Sequence, residues 1–538
     1  MSLTFENVSL QWERVSCILE KKGRQRSLLR DVCGSAHAGR LLAIMGPSGS
    51  GKTTLLNSLA GQLLKSKGLR LEGRVHVNGK AAHGDELLKL KKAYVRQEDI
   101  FYTQMTVRET LLFHAKLRLP RSMSKQEKEA KVEAILGALS LSKCADTLVG
   151  GEKVRGISGG ERKRLNIGCE LIASPSLIFL DEPTTGLDSF QADKVVRSLK
   201  DLAALGHTIV TVIHQPSGSV FSMFDDLMLL SEGRLVYHGD AQKATAHFKA
   251  LGHPCPLHIS PGEFCLSLVS VDHETADTAA STTQRVLDFS AAFAQSFGTK
   301  YALQEKPPTN SAVDERSRED ICTARPQASL LQQTRLLLAR SWREVVRNKG
   351  ANTIKVIQQV STALIYGGIY SFSDTQSSIQ DRIGLCSLVA IGNTNLAVAS
   401  TIRAFPKEKS IVMNDRSKAL YGALPYFLSK VVAEAPLSAA LSCLFGGILY
   451  PLVGFQAAGD KFLKFMAINI VHSLSSSATG LMIGAVAPSS EVALAMLPPI
   501  VVLQVHILEK KKKKKKNVAL YRCLAGTHSR KKKGPPFW

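Results

Sequence analysis

The chain has 538 residues, more than one compact domain usually holds, and its 40 Gly and 20 Pro are too ordinary a share for a collagenous or disordered polymer. The formal charge of +24 would suit a nucleic acid, but residues 509–538 alone hold twelve Lys or Arg against one acid, so the rest carries no comparably dense basic block and no nucleic-acid partner is expected. A mean hydropathy of +0.01 conceals two unlike halves, because long apolar runs occur only beyond about residue 350.

From the start, Leu3, Phe5, Val8 and Leu10 alternate with polar residues, which predicts a strand rather than a cleavable leader. Apolar runs at 41–45, 177–180, 208–213 and 227–230 then alternate with helical stretches. That rhythm predicts an α/β domain over 1–271 around a buried sheet. Residues 272–328 turn to Ser, Thr, Asp, Glu, Lys and Pro and read as a linker. At 329–349, Leu330, Leu331, Leu336–Leu338, Trp342, Val345 and Val346 interleave with four arginines, the pattern of an amphipathic connecting helix along a membrane surface, with packing on the soluble domain as the alternative.

The membrane domain, 350–508, offers spans at 356–372, 383–402, 426–455 and 465–487, with a marginal fifth at 492–508. Between them, 403–422 holds Arg403, Lys407, Lys409, Arg416 and Lys418, whereas 373–382 and 456–461 hold one basic residue each. The basic loop, and the α/β domain with it, is therefore expected in the cytosol. Lys430 and Glu434, four residues apart, are placed to pair on one helix face. Pro498, Pro499, Gln504 and His506 weaken the fifth candidate, and seven consecutive lysines follow it at 510–516. The expectation is that 492–508 does not span, that the basic tail 509–538 stays cytosolic, and that this tail is unrelated sequence. Ten cysteines, scattered without a C-x-x-C pair, read as reduced thiols.

Chemistry concentrates in the first half. Gly46-Pro47-Ser48-Gly49-Ser50-Gly51-Lys52-Thr53 follows an apolar strand and runs into a helix opened by Thr54. This is the context of a phosphate-binding loop: glycines let backbone N–H groups turn inward, the helix adds its positive end, Lys52 serves the β/γ oxygens and the Thr53 hydroxyl can ligate Mg²⁺. A second strand, 177–180, delivers Asp181 and Glu182. Asp181 suits the shell of the magnesium ion, and Glu182 can polarise an attacking water. Ser158-Gly159-Gly160, continued by Glu161, opens a further helix whose free N–H groups form a second anion site. It cannot face the phosphate already held by the first loop, so two copies of the chain are implied.

The order Ile157-Ser158-Gly159-Gly160-Glu161-Arg162-Lys163-Arg164, Asp181-Glu182, Pro183-Thr184-Thr185-Gly186-Leu187-Asp188 resembles an ATP-binding cassette. The resemblance implies ATP and Mg²⁺ as cofactors, with Gln97 in Tyr94-Val95-Arg96-Gln97-Glu98-Asp99 as the Q-loop residue and a magnesium ligand beside Thr53 and Asp181. It further implies that Asp188 is the D-loop aspartate, that His214 senses the γ-phosphate, and that Ser158 and Gly160 close on the ATP at Lys52 of a second copy. Trp12 either stacks on the adenine or belongs to the core.

A cassette preceding the membrane domain, with Ile213-His214-Gln215-Pro216, Asp381-Arg382-Ile383-Gly384-Leu385 and Phe405-Pro406-Lys407-Glu408-Lys409, resembles the G family of ABC half-transporters, the white–brown type. Ser378-Ile379-Gln380-Asp381-Arg382 and Phe190-Gln191-Ala192 look most like its plant member-7 type, over roughly residues 1–500, with truncation or alteration expected after about 501. The implied fold is an α/β P-loop NTPase cassette followed by an all-α transmembrane domain of the type-2 exporter kind. The implied activity is ATP hydrolysis coupled to export of a lipophilic substrate by a homo- or heterodimer with another G-family half-transporter, embedded in membrane lipid. Its cassette would face the cytosol, at the plasma membrane or an internal membrane such as that of a plastid. The alternative is a transport-incompetent subunit that binds ATP and pairs with intact partners. Asn414-Asp415 departs from the pattern, standing where many members carry an Arg-Glu pair.

Overall fold

A computed structural model describes residues 7–21, 24–63, 68–82, 92–151, 154–303, 328–372, 378–489, 491–500 and 502. The chain divides into two units, Met1–Gln332 with Lys418–Tyr421, and Gln333–Ser417 with Gly422–Trp538.

In chain order the first unit runs β1 (Leu10–Lys21), β2 (Arg24–Ala36), β3 (Leu41–Met45), α1 (Lys52–Leu59), β4 (Leu69–Val77), β5 (Lys80–Ala82) and β6 (Lys92–Val95). There follow α2 (Val107–Arg118), α3 (Lys125–Ala138), α4 (Gly159–Leu171), β7 (Leu177–Asp181), α5 (Ser189–Ala204), β8 (Thr208–Val212) and α6 (Gly218–Phe221). The unit continues through β9 (Asp226–Ser231), β10 (Arg234–Asp240), α7 (Ala244–Ala250), α8 (Pro261–Val269) and α9 (Ala276–Leu303).

Two sheets result. The six-stranded one has the order β10-β9-β3-β8-β7-β6, parallel except for β10 at its edge. Its central strand β3 is apolar and buried at every position because both faces are covered: Leu41, Ala43 and Met45 enter one core, Leu42 and Ile44 the other. The second sheet is antiparallel, in the order β2-β1-β4-β5.

This geometry changes two expectations. Residues 272–328 are not all linker, because α9 occupies Ala276–Leu303 and buries Val286, Phe289 and Phe293 in the core. Those three share one helical stripe, which the surrounding Ser, Thr and Ala masked in a composition-based reading. Trp12 is fully buried in the core between the sheets, with Gly34 and Met228 against it, and offers no face to a base.

The second unit is helical: α10 (Leu330–Arg347), α11 (Lys349–Ile369), α12 (Ser378–Ser417), α13 (Ala423–Val453) and α14 (Gly459–Val486). Among the described residues three segments are long and apolar enough to cross a membrane, Ile379–Ile402, Ala423–Val453 and Gly459–Val486. Most of the expected first span, 356–372, lies on α11, which is not among these three. The fifth candidate is described over the short helix Glu491–Ile500 and at residue 502; its remaining residues, with the tail 509–538, lie outside the described residues. Nor is 403–417 a separate loop, since α12 continues through it to Ser417.

Tight helix packing follows from small residues. A Cβ on Gly480 of α14 would stand 3.0 Å from the Thr401 Cβ of α12, so the glycine sets how closely these helices meet. At the basic end Arg340 of α10 pairs with Asp415 at 3.3 Å, both buried. Lys430 bridges Glu408 at 2.6 Å and Glu434 at 3.1 Å, and the Tyr426 hydroxyl donates to Glu408.

Candidate nucleotide site

Parallel strands in the order β3-β8-β7-β6 send their carboxyl ends the same way. The chain therefore delivers in one row the Gly46–Thr53 loop after β3, His214 after β8, Asp181 and Glu182 at the end of β7, and Gln97 after β6. Ligands of open α/β sheets lie against that edge.

The loop is a built cradle. Gly46 has a φ of +151°, and a Cβ there would meet the Leu230 carbonyl oxygen at 2.0 Å, so only glycine fits. Gly51 caps α1 in the left-handed region, where the first-turn N–H groups of Lys52, Thr53 and Thr54 begin the helix. The Lys52 ammonium is buried and donates to the carbonyls of Gly46 (2.9 Å) and Pro47 (2.8 Å). Burial pushes its pKa down, with Glu182 and Asp181 pulling the other way. A cation held by neutral carbonyls is electrostatically matched to an incoming phosphate. Ser48 shares a 3.1 Å hydrogen bond with the His214 Nε2, and the Ser50 hydroxyl is buried without a hydrogen-bond partner among the described residues.

Next to the loop, the Thr53 hydroxyl donates to Asp181 Oδ1 at 3.0 Å. Burial pushes the Asp181 carboxyl up, while the hydrogen bond from Thr53 pulls it down. A hydroxyl and a carboxylate in contact at a helix start fit a magnesium ion that keeps most of its waters. The Gln97 side-chain amide donates to Glu182 Oε2 at 2.9 Å, so in this state it lies on Glu182. Its loop is anchored by Lys163, which donates to the Gln97 carbonyl (2.7 Å) and pairs with Asp99 (2.9 Å). Asn166 donates to the same carboxylate.

Ser158 caps α4, accepting from the Glu161 amide while Glu161 Oε2 accepts from the Ser158 amide at 2.8 Å. Glu161 thus holds the cap at the start of α4. Among the described residues no hydrogen bond joins Ser158, Gly159 or Gly160 to the Gly46–Thr53 loop. Asp188 caps α5 by accepting from the Gln191 amide, and a Cβ on Gly160 would come within 2.3 Å of the Gln191 side chain, so this glycine lets the starts of α4 and α5 touch.

Sequence reasoning missed three groups here. Thr185 donates to Glu182 Oε2 at 3.0 Å, Tyr94 reaches Asp181, and the Lys163–Asp99–Asn166 cluster fixes the Gln97 loop. Thr185 and Asp99 stood inside quoted motifs; what the string lacked was which strand ends become neighbours.

Comparison with known proteins gives a family match for each half. The family described as "ABC transporter" matches residues 29–185, and families described as "ABC-2 type transporter" match 332–506 and 214–289. The second match passes residue 501, so a departure from the family pattern at that point is not supported. ABC transporter G family member 7 of Arabidopsis thaliana is 46% identical over 91% of this chain and 68% of its own length. Member 14 of the same plant is 34% identical over 90% and 75%, and Protein white of Drosophila melanogaster is 34% identical over 89% and 69%.

Proposed function

The chain belongs to the G family of ABC transporters, and on that premise we propose how its residues carry out ATP-driven transport. It is an ATP-hydrolysing cassette joined to a helical membrane domain, an integral membrane half-transporter. The observation that carries the residue assignment is the row of strand ends that brings Lys52, His214, Asp181, Glu182 and Gln97 to one edge.

The Gly46–Thr53 loop holds the phosphates of ATP through its amides and Lys52. Thr53, Asp181 and Gln97 would hold Mg²⁺, which neutralises charge between the β and γ phosphates when bound. Glu182 accepts a proton from the attacking water, and His214 stands where it meets the γ-phosphate. The Ser158-Gly159-Gly160 helix start of a second copy completes the site, so ATP closes a homodimer or a heterodimer with another G-family chain. Closure biases the membrane helices between two states; moving a 1:99 equilibrium to 99:1 takes about 5.5 kcal/mol of differential affinity. The substrate is lipophilic, in keeping with helices that offer apolar faces and few charges, and the cassette lies in the cytosol of a cell whose plasma or internal membrane holds the protein. The reading as a transport-incompetent subunit is not favoured, because both halves match transporter families.

The test is Glu182→Gln in the full-length chain reconstituted in lipid discs. The variant is expected to retain ATP and stay dimeric while phosphate release falls at least a hundredfold. Hydrolysis at the wild-type rate would refute the assignment of the base.

A further inference from the structure

We propose that Thr185 is a positioning residue for Glu182, a role that rests on reading Glu182 as the base. One carboxylate oxygen, Glu182 Oε2, accepts both hydrogen bonds that the side chain receives among the described residues, from the Gln97 amide at 2.9 Å and from the Thr185 hydroxyl at 3.0 Å. Crowding both donors onto Oε2 leaves Oε1 as the oxygen available to a water.

The two donors differ in permanence. Gln97 belongs to another strand end and is assigned to the magnesium shell, so its amide must leave Glu182 when MgATP binds. Thr185 belongs to the same turn as Glu182: its amide donates to the Glu182 carbonyl at 3.3 Å, and the turn begins with Glu182 in the left-handed region at φ +47°. A non-glycine residue adopts that conformation only where its surroundings hold it. Here the Glu182 amide donates to the Val212 carbonyl of β8 at 3.1 Å, which ties the turn to the sheet. Thr185 thus moves with Glu182, and after Gln97 departs it is the donor that keeps the carboxylate from rotating. In the reaction the water O–H bond breaks, the proton goes to Glu182, the water oxygen bonds to the γ-phosphorus, and the bond from that phosphorus to the β–γ bridging oxygen breaks as ADP leaves. Thr185 keeps its own proton throughout.

Thr185 is solvent-exposed, so removing its hydroxyl leaves the core intact. The experiment compares Thr185→Val, Thr185→Ser, Glu182→Gln and the Glu182→Gln/Thr185→Val double variant in the reconstituted full-length protein. Steady-state kcat and KM for ATP are measured at saturating Mg²⁺, and melting temperature serves as the check on folding. Thr185→Val is expected to lower kcat about tenfold with KM within about twofold, because a loosened base affects the chemical step and leaves ATP binding alone. Thr185→Ser restores kcat to within about twofold. The double variant is no slower than Glu182→Gln alone, since a holder has no effect once the base is gone. The role is overturned if Thr185→Val keeps the wild-type kcat, if it raises KM alone, or if serine is as slow as valine. Those results with a stalled Glu182→Gln would sink the holder only; a Glu182→Gln variant at full speed would sink the base and its holder together.

Discussion

Glu170 offers the clearest quantitative test of how the cassette is held together. It lies near the end of α4, the helix that Ser158 begins, and its side chain is 5% exposed. Its carboxylate receives the Arg118 guanidinium through two nitrogens, at 2.9 and 3.3 Å, and the Lys418 ammonium at 2.6 Å. Burial alone would push the Glu170 carboxyl up, but Arg118 and Lys418 reverse this and hold it at about 2, against an ordinary 4.5. That displacement corresponds to roughly 3 kcal/mol in favour of the folded state. Because the folded pKa is depressed, this stability is fully present above about pH 4.5 and is lost as pH falls toward 2. Glu170→Gln keeps the shape and removes the charge that the largely buried Arg118 and Lys418 share, a change that costs about 3–5 kcal/mol in comparable buried pairs. For a domain of this size the melting temperature should drop by roughly 6–15 °C at pH 7. Differential scanning fluorimetry of the detergent-purified chain between pH 3 and 8 is the assay. The wild type and the variant should converge on acidification, as the wild type loses what the variant never had. A shift under about 2 °C at pH 7, or curves that stay parallel down to pH 3, would refute the reasoning.

Two further outcomes test the core of each unit. Trp12→Ala should destabilise the cassette by about 3–5 kcal/mol while leaving ATP affinity of the folded fraction within about twofold, as read by melting and by nucleotide titration. Lost affinity without lost stability would restore base stacking. In the second unit, Arg340→Met should cost about 3–5 kcal/mol by removing a buried ion-pair partner of the Asp415 carboxylate, and Arg340→Met/Asp415→Leu should regain at least half of that in a double-mutant cycle of denaturation free energies.

The nucleotide site was legible because each of its parts is a short contiguous pattern attached to a strand end. Gly46–Thr53 follows β3, Asp181 and Glu182 end β7, and His214 follows β8, so local chemistry and local structure announce each other. Strand adjacency was not legible. That β8 lies between β3 and β7 depends on pairing segments more than a hundred residues apart, such as Ile44 with Val212, and no spacing in the string records it. Thr185 was hidden for a local reason: three residues from Glu182, its role depends on the turn that aims the Glu182 carboxylate at its hydroxyl. Helix α9 failed differently: Val286, Phe289 and Phe293 had the right period, but composition was read over too long a window for three residues to count.

The membrane half shows where a family pattern misleads. Asn414-Asp415 departs from the Arg-Glu pair of many relatives, yet Asp415 pairs with Arg340 of α10, 75 residues earlier in the chain. One carboxylate on α12 is enough, because a buried arginine needs a counter-charge within reach and is indifferent to the motif that supplies it. Glu408 meets Lys430 across 22 residues by the same logic, whereas Lys430 and Glu434 were foreseeable because four residues make one helical turn. Pairs within a helix can be read from spacing, and pairs between helices only from the fold. The contacts joining α10, α12 and α13 are of the second kind.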